Sequence, residues 1–271
     1  MRDEDGRAVG RARARGGDNW LYGRHAVGAA LANPARRWRR LVVLAGQESE
    51  AAALIADALA EQHGGSQPVE ALDRAGFERL LPQGAVHQGW ALEVEPLENA
   101  DLEDLLRAVE VRQGRATVLV LDQVTDPHNF GAIVRTAAAF GLEALITTHR
   151  HSPQISGVLA KAASGGLEYV PLINVTNLAR ALDTLGEYGF SRVGLDSEAP
   201  KPLEAIALST PLALVLGAEG QGLRRLTREK CDVLARLDLP GPVQSLNVSN
   251  ACAIALALVS GALRQQMGGR P

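Results

Sequence analysis

The sequence predicts an α/β protein, with a mostly parallel sheet in its second half and a smaller α/β unit in front of it. Three observations lead there. Thr117–Leu121 (TVLVL) and Leu212–Leu216 (LALVL) are nearly unbroken apolar runs, as expected of central parallel strands covered on both faces. From Ala116 onward, strand-like, loop-like and helix-like segments recur in that order. An apolar fraction of 46% over 271 residues is enough for one large core or two of ordinary size.

Residues 1–17, rich in Gly, Arg and Asp, read as a flexible tail. Residues 18–97 read as a small α/β domain. It carries a helix over Ala26–Leu31, a strand over Arg40–Leu44, an alanine-rich helix over Glu48–Glu61, a helix over Ala71–Leu81 and a closing strand over Trp90–Val94. Residues 98–114 read as a linker with a short amphipathic helix, lying between Pro96 and Gly114.

Residues 115–271 form the second predicted domain. Behind Thr117–Leu121 come a helix over Gly131–Phe140, a strand over Ala144–Thr148, and helices over Gly157–Ala163 and Leu178–Leu185. Strands follow over Phe190–Leu195 and Leu212–Leu216, then a helix near Leu223–Thr227 and a short strand over Val233–Leu237. The terminal helix spans Val248–Leu263, with Ser249 or Asn247 as its cap.

Composition narrows the function classes. No window approaches the roughly 18 consecutive apolar residues of a membrane span, the longest clean run being Ala251–Val259. The N-terminus mixes acids with arginines and has no apolar core, which argues against a secretory signal. Cys231 and Cys252 are the only cysteines, so a reducing cytoplasm is the expected location. Only His149 and His151 lie close together among the histidines, and no Cys/His/Asp cluster has ligand spacing, so no metal is expected.

The net charge of −3 does not advertise nucleic-acid binding. Its distribution is more suggestive: Arg36, Arg37, Arg39 and Arg40 crowd around Trp38, and Arg24 precedes them. Charge by itself leaves RNA binding open.

Three loops, each directly behind a buried-type strand, carry the chemistry, because ligands of open α/β sheets bind outside the carboxyl ends of the strands. Loop one, Asp122–Gly131, delivers Asn129 and leads to Arg135, the one charged residue between Gly131 and Gly141. Arg135 is either a solvated helix position or a grip for an RNA phosphate. Loop two, Gly217–Gly222, has the order G-x-x-G-x-G and presents Glu219. Its glycines permit close approach of an adenosine-type ligand or simply make a tight turn. Loop three, Leu237–Asn250, combines prolines and Gly241 with Ser245 and Asn247, neutral groups suited to gripping a ligand edge or to capping a helix.

The segments TDPHNFGAIVRTAAAFG, LVLGAEGQGL and PGPVQSLNVSNA, in this order, resemble the SpoU/TrmH family of RNA ribose 2′-O-methyltransferases within the SPOUT superfamily. Leu21–Val27 and Val86–Ala91 resemble the ends of that family's N-terminal RNA-binding domain, which is similar to ribosomal protein L30e. Lys161–Gly166 and Pro171–Leu178 are similar to the bacterial branch that methylates a guanosine of 23S rRNA. Two places depart from the usual motif three: Leu237-Asp238-Leu239 stands where Ile-Pro-Met is common, and Asn250 where Val is frequent.

The resemblance implies a trefoil-knotted C-terminal domain, a homodimer formed through that domain, S-adenosylmethionine as methyl donor, and 23S rRNA or a large-subunit precursor as partner. A transfer-RNA substrate, or an inactive RNA-binding or ribosome-assembly relative, is the alternative. The catalytic positions carried over are Arg135, Asn129, Glu219, Ser245 and Asn247. Donor-binding positions are Leu216, Gly217, Gly220, Leu237, Leu239, Ser245, Leu246 and Asn247. Arg24, Arg36, Arg37, Arg39, Arg40, His87 and Arg135 are the RNA-contact candidates. The resemblance assigns Arg135 to drawing the proton from the 2′-hydroxyl. A phosphate clamp and electrostatic activator is the safer role, since a guanidinium stays charged.

Overall fold

A computed structural model describes residues 19–60, 69–98, 100–243 and 245–268. The tail expected over 1–17 lies outside the described residues.

The first unit is a four-stranded mixed sheet in the order β1-β4-β2-β3. β1 (Trp20–Tyr22) and β2 (Trp38–Leu44) run antiparallel to β4 (Trp90–Val94), while β3 (Val69–Leu72) lies parallel to β2. Helices α1 (Arg24–Ala32), α2 (Glu48–Ala60) and α3 (Arg74–Leu80) complete it. The helix expected over Ala71–Leu81 is corrected. Ala71 and Leu72 pair with Val43 and Leu44, and the helix starts only after Asp73, whose side chain accepts from the Gly76 amide at 2.8 Å. Asp73 is an N-cap, the residue type that opens helices, and that signal marks the break.

The second unit is a six-stranded, all-parallel sheet in the order β10-β8-β9-β5-β6-β7. Its strands are β5 (Thr117–Asp122), β6 (Ala144–Thr148), β7 (Leu172–Val175), β8 (Ser191–Leu195), β9 (Leu212–Gly217) and β10 (Val233–Ala235). Interleaved are α5 (Pro127–Ala139), α6 (Gly157–Ala163), α7 (Leu178–Glu187), α8 (Arg225–Glu229) and α9 (Val248–Gly268). Strands β1 and β7, like β3, were not expected. β1 has three residues and β7 four, too short for periodicity to register.

Alternate residues of the parallel strands feed two cores. Leu119, Leu121, Leu145, Leu214 and Leu216 face α5, α6 and α9. Val118, Val120, Ile146 and Val215 face α7 and α4 (Leu102–Val111), whose Leu105, Leu106 and Val109 are buried against them. The amphipathic helix of the expected linker is therefore packed on the sheet.

By length and composition α9 is apolar enough to cross a bilayer. Here it buries Val248, Cys252, Ala255, Leu256 and Val259 in the α5 side of the core.

The two units meet closely. A Cβ at Gly157 would stand 2.3 Å from Tyr22 Cε1, and one at Gly165 would stand 2.6 Å from Ala29 Cβ, so glycine is what lets α6 approach β1 and α1. Beside them Arg36 forms a two-pronged ion pair with Glu168 at 2.6 and 3.1 Å, both side chains nearly fully buried. Arg36 Nη1 also donates to the Glu95 carbonyl (2.9 Å), and Asn33 donates to Glu168 (2.7 Å). Every one of these groups finds a partner, which is what makes a buried pair tolerable.

Candidate active site

The three loops converge at the carboxyl edge of the parallel sheet. Loop one turns at Gln123, whose φ is +63°. Asp126 then caps α5 by accepting from the Asn129 amide at 2.8 Å, with Pro127 in the first turn, where a missing N–H is harmless. Asn129 is thereby held in the first turn of α5.

Loop two closes on itself through a Gly222 amide bond to the Ala218 carbonyl at 2.9 Å. A Cβ at Gly217 would sit 2.1 Å from the Gly222 carbonyl carbon, so this position has room for hydrogen only. The loop is tied to β5 by Asp122, fully buried, which accepts from the Arg224 amide (3.0 Å) and Nε (2.6 Å).

Loop three ends at Asn247, which caps α9: its Oδ1 accepts from the Ser249 amide (2.9 Å) and hydroxyl (2.6 Å). Of the two expected caps, Asn247 takes the role. Its Nδ2 is left to face the other loops.

A triangle of polar side chains results. Asn247 Nδ2 donates to Asn129 Oδ1 at 2.9 Å and to Glu219 Oε2 at 3.3 Å, and Asn129 Nδ2 donates to Glu219 Oε2 at 3.4 Å. Beside it opens a cavity of about 370 Å³, lined by Leu216, Gly217, Gly220, Leu237, Leu239, Ser245 and Leu246. The apolar side chains and close-packed glycine backbone suit an adenosine-type ligand.

The arrangement separates the five catalytic candidates. Asn129, Glu219 and Asn247 meet; Ser245 lines the cavity; Arg135 does not join them. At about 1.5 Å per residue, Arg135 stands roughly 9 Å further along α5 than Asn129, with its side chain exposed.

A fourth contribution, outside the three loops, comes from the end of β8. Leu195, Asp196 and Ser197 also line the cavity. Asp196 is held by Arg228 at 2.5 Å and accepts from the Glu198 amide at 2.9 Å. The rule that ligands sit at strand carboxyl ends applies to β8 too and is the signal that would have found it. Among the described residues, no three His, Cys, Asp or Glu side chains gather as a metal-holding group.

The RNA-contact candidates divide sharply. Arg36 is corrected: its guanidinium is enclosed between the units with Glu168 and has no face left for a phosphate. Arg24 pairs with Glu50, Arg39 with Glu95, and Arg40 with Glu93 and Glu70 while lying over the Trp20 ring. Arg37 is exposed with no ion pair among the described residues. His87 stacks on Phe77 at 4.4 Å and accepts from the Gly89 amide through Nδ1 at 3.0 Å. Burial holds its pKa below the usual imidazole value, with Arg74 adding to the effect, so it brings no positive charge at neutral pH.

Comparison with known proteins bears on this arrangement. Residues 116–257 match the SpoU rRNA methylase family, and residues 20–100 match a domain described as RNA 2′-O ribose methyltransferase substrate binding. The chain is 43% identical to the 23S rRNA (guanosine-2′-O-)-methyltransferase RlmB of Photorhabdus laumondii, over 87% of this chain and 95% of that one. It is 41% identical to the RlmB of Pseudomonas aeruginosa, over 87% and 93%. Its fold is shared with the SpoU methyltransferase AviRb of Streptomyces viridochromogenes in complex with AdoMet, with a TM-score of 0.73 at 22% identity over 94% and 93% of the two chains.

Proposed function

The chain belongs to the SpoU rRNA methylase family, and we propose that within it the protein methylates the 2′-hydroxyl of a guanosine in 23S rRNA. It is an S-adenosylmethionine-dependent RNA 2′-O-methyltransferase. The observation that carries the finer reading is the Asn129–Glu219–Asn247 triangle at the rim of the cavity, in a chain aligned with RlmB proteins along nearly their whole length.

Leu216, Leu237, Leu239 and Leu246, with the backbone at Gly217 and Gly220, would hold the donor, and Ser245 supplies a hydroxyl at the same wall. When bound, S-adenosylmethionine supplies an already activated methyl group. What remains for the protein is to align the ribose oxygen and ease the loss of its proton. Glu219 accepts both amides of the triangle and, as a carboxylate, has acceptor capacity left for the hydroxyl proton. Asn129 and Asn247 fix that carboxylate, so its dipolar surroundings are set before substrate arrives. Arg135, standing apart, grips a backbone phosphate; the exposed Arg37 offers a second contact on the first unit.

The same reading includes a homodimer through the second unit, a trefoil knot formed as the chain passes through loop three into α9, and residence in the cytoplasm. The decisive experiment is methyl transfer from labelled donor to 23S rRNA prepared from a strain lacking the gene, followed by nucleoside analysis. 2′-O-methylguanosine at one position is expected. Label on a base, or on transfer RNA alone, would overturn the proposal.

A further inference from the structure

A second, smaller cavity lies along the same sheet edge. It has about 180 Å³ and forms over the ends of β6 and β7, on the face that carries α5. Phe130, Leu172 and Ile155 supply apolar walls; Thr147, Ser152, the Gln154 and Asn174 amides and the His149 imidazole supply the polar groups. The described lining holds no carboxylate, ammonium or guanidinium group. Without arginine or lysine it offers a phosphate no permanent positive charge. It suits a flat, uncharged ring with donors and acceptors around its edge.

Its position is equally informative. Strands β9, β5, β6 and β7 are consecutive neighbours, and their ends carry, in that order, the donor cavity, the polar triangle and this second cavity. Neighbouring strands are about 4.8 Å apart, so the ends of β9 and β6 are separated by roughly 10 Å. Asn129 belongs to the triangle, while the adjacent Phe130 lines the second cavity. A ribose placed at Asn129 thus has a receptacle for its base on the side away from the donor.

We propose that this cavity takes the nucleobase of the nucleotide being methylated, and that Thr147 and Ser152 read its hydrogen-bonding edge. This rests on the ribose methyltransferase reading above and extends it to recognition of the base. The Ser152 hydroxyl donates its proton to the Thr148 carbonyl at 2.8 Å, so its oxygen faces a ligand as an acceptor. The Thr147 hydroxyl has only a 3.5 Å bond to the Leu121 carbonyl and is likewise able to accept. Two acceptors at one wall match the ring N–H and the exocyclic amine of guanine.

The test compares target-bearing rRNA transcripts carrying guanosine or inosine at the methylated position, inosine lacking the exocyclic amine. The wild-type protein is expected to favour guanosine by roughly tenfold in kcat/KM, the worth of one hydrogen bond. Whichever of Thr147→Val and Ser152→Ala removes the acceptor of the exocyclic amine should shrink that preference to within about threefold, the other should lower kcat/KM on both bases alike, and both should keep the affinity for S-adenosylmethionine in calorimetry. Thr147 is buried, so if Thr147→Val folds poorly Ser152→Ala, on a loop, decides the matter, an unchanged kcat/KM for guanosine overturning the assignment. Methylation that treats both bases alike in the wild type, or a preference that neither variant shrinks, would overturn the base-pocket assignment alone. Absence of ribose methylation on any transcript would overturn it together with the enzymatic reading.

Discussion

Asn247 Nδ2 donates to Asn129 Oδ1 at 2.9 Å, joining two loops separated by 118 residues of chain. The same Asn247 caps α9 through its Oδ1. One side chain thus has two tasks, and they can be separated. Asn247→Ala should lose both: methyl transfer falling by about 10²–10³ in kcat, and stability by about 1 kcal/mol from the lost cap. Asn247→Ser retains a capping hydroxyl but is too short for Asn129. Its urea midpoint should stay near wild type while its kcat falls as far as that of Asn247→Ala. A Ser variant that regains activity along with stability would show that only the cap matters.

Loop two allows a sharper geometric test. At Gly217 an added Cβ would meet the Gly222 carbonyl carbon at 2.1 Å, a backbone atom with nowhere to go. At Gly220 nothing lies within 4 Å, and the only obstacle is a φ of +78°. Gly220→Ala should therefore cost about 1 kcal/mol of strain in the loop and weaken donor binding by roughly tenfold or less. Gly217→Ala should abolish detectable donor binding in calorimetry. Equal effects at the two positions would mean that the loop rearranges freely.

How much of this was legible in the residues follows from what each signal reports. Strands buried on both faces announce themselves, so β5, β6 and β9 are readable with small errors at their ends. Pairing across distance is not readable: Ala71 and Leu72 look helical until β2 is known to lie beside them. The cavity wall at Leu216, Leu237 and Leu246 came through resemblance, whereas Asp196 was missed because its loop, despite Pro200 and Pro202, has none of the glycines that mark loops two and three. Arg36 shows the limit most clearly. In sequence it is one of four clustered arginines; only the fold reveals Glu168 beside it.

Both thiols should be inert in the native protein. Burial pushes Cys231 up to about 12, the nearby Arg192 opposing only in part, and burial alone pushes Cys252 to about 12. Since only the thiolate reacts, labelling by Ellman's reagent at pH 8 should be about a thousandfold slower than for a free cysteine with pKa near 8.5. Both should react at once in 6 M guanidinium, a concentration at the order of about 6 M being sufficient to unfold most domains. The folded values lie above the unfolded one, so the native state holds these protons more tightly. Their contribution to stability is complete below roughly pH 8.5 and is lost as pH rises toward 12. A rapid burst of one thiol per native chain would contradict the buried placement.

Two neighbouring arginines should respond in opposite ways when truncated. Among the described residues, Arg36→Ala leaves Glu168 as a buried carboxylate with only Asn33 as its remaining side-chain partner, a loss of about 3 kcal/mol or more. Arg37 is exposed and without an ion pair among the described residues, so Arg37→Ala should leave the urea midpoint unchanged. Binding to rRNA should show the reverse. Removing Arg37 should weaken affinity and lower the slope of log K against log salt by about one. Arg36→Ala, assayed where it remains folded, should leave that slope as it was, because its charge never faces the RNA. If instead the slope drops for Arg36→Ala and not for Arg37→Ala, the buried pair opens when RNA binds, and the junction between the two units is a moving part.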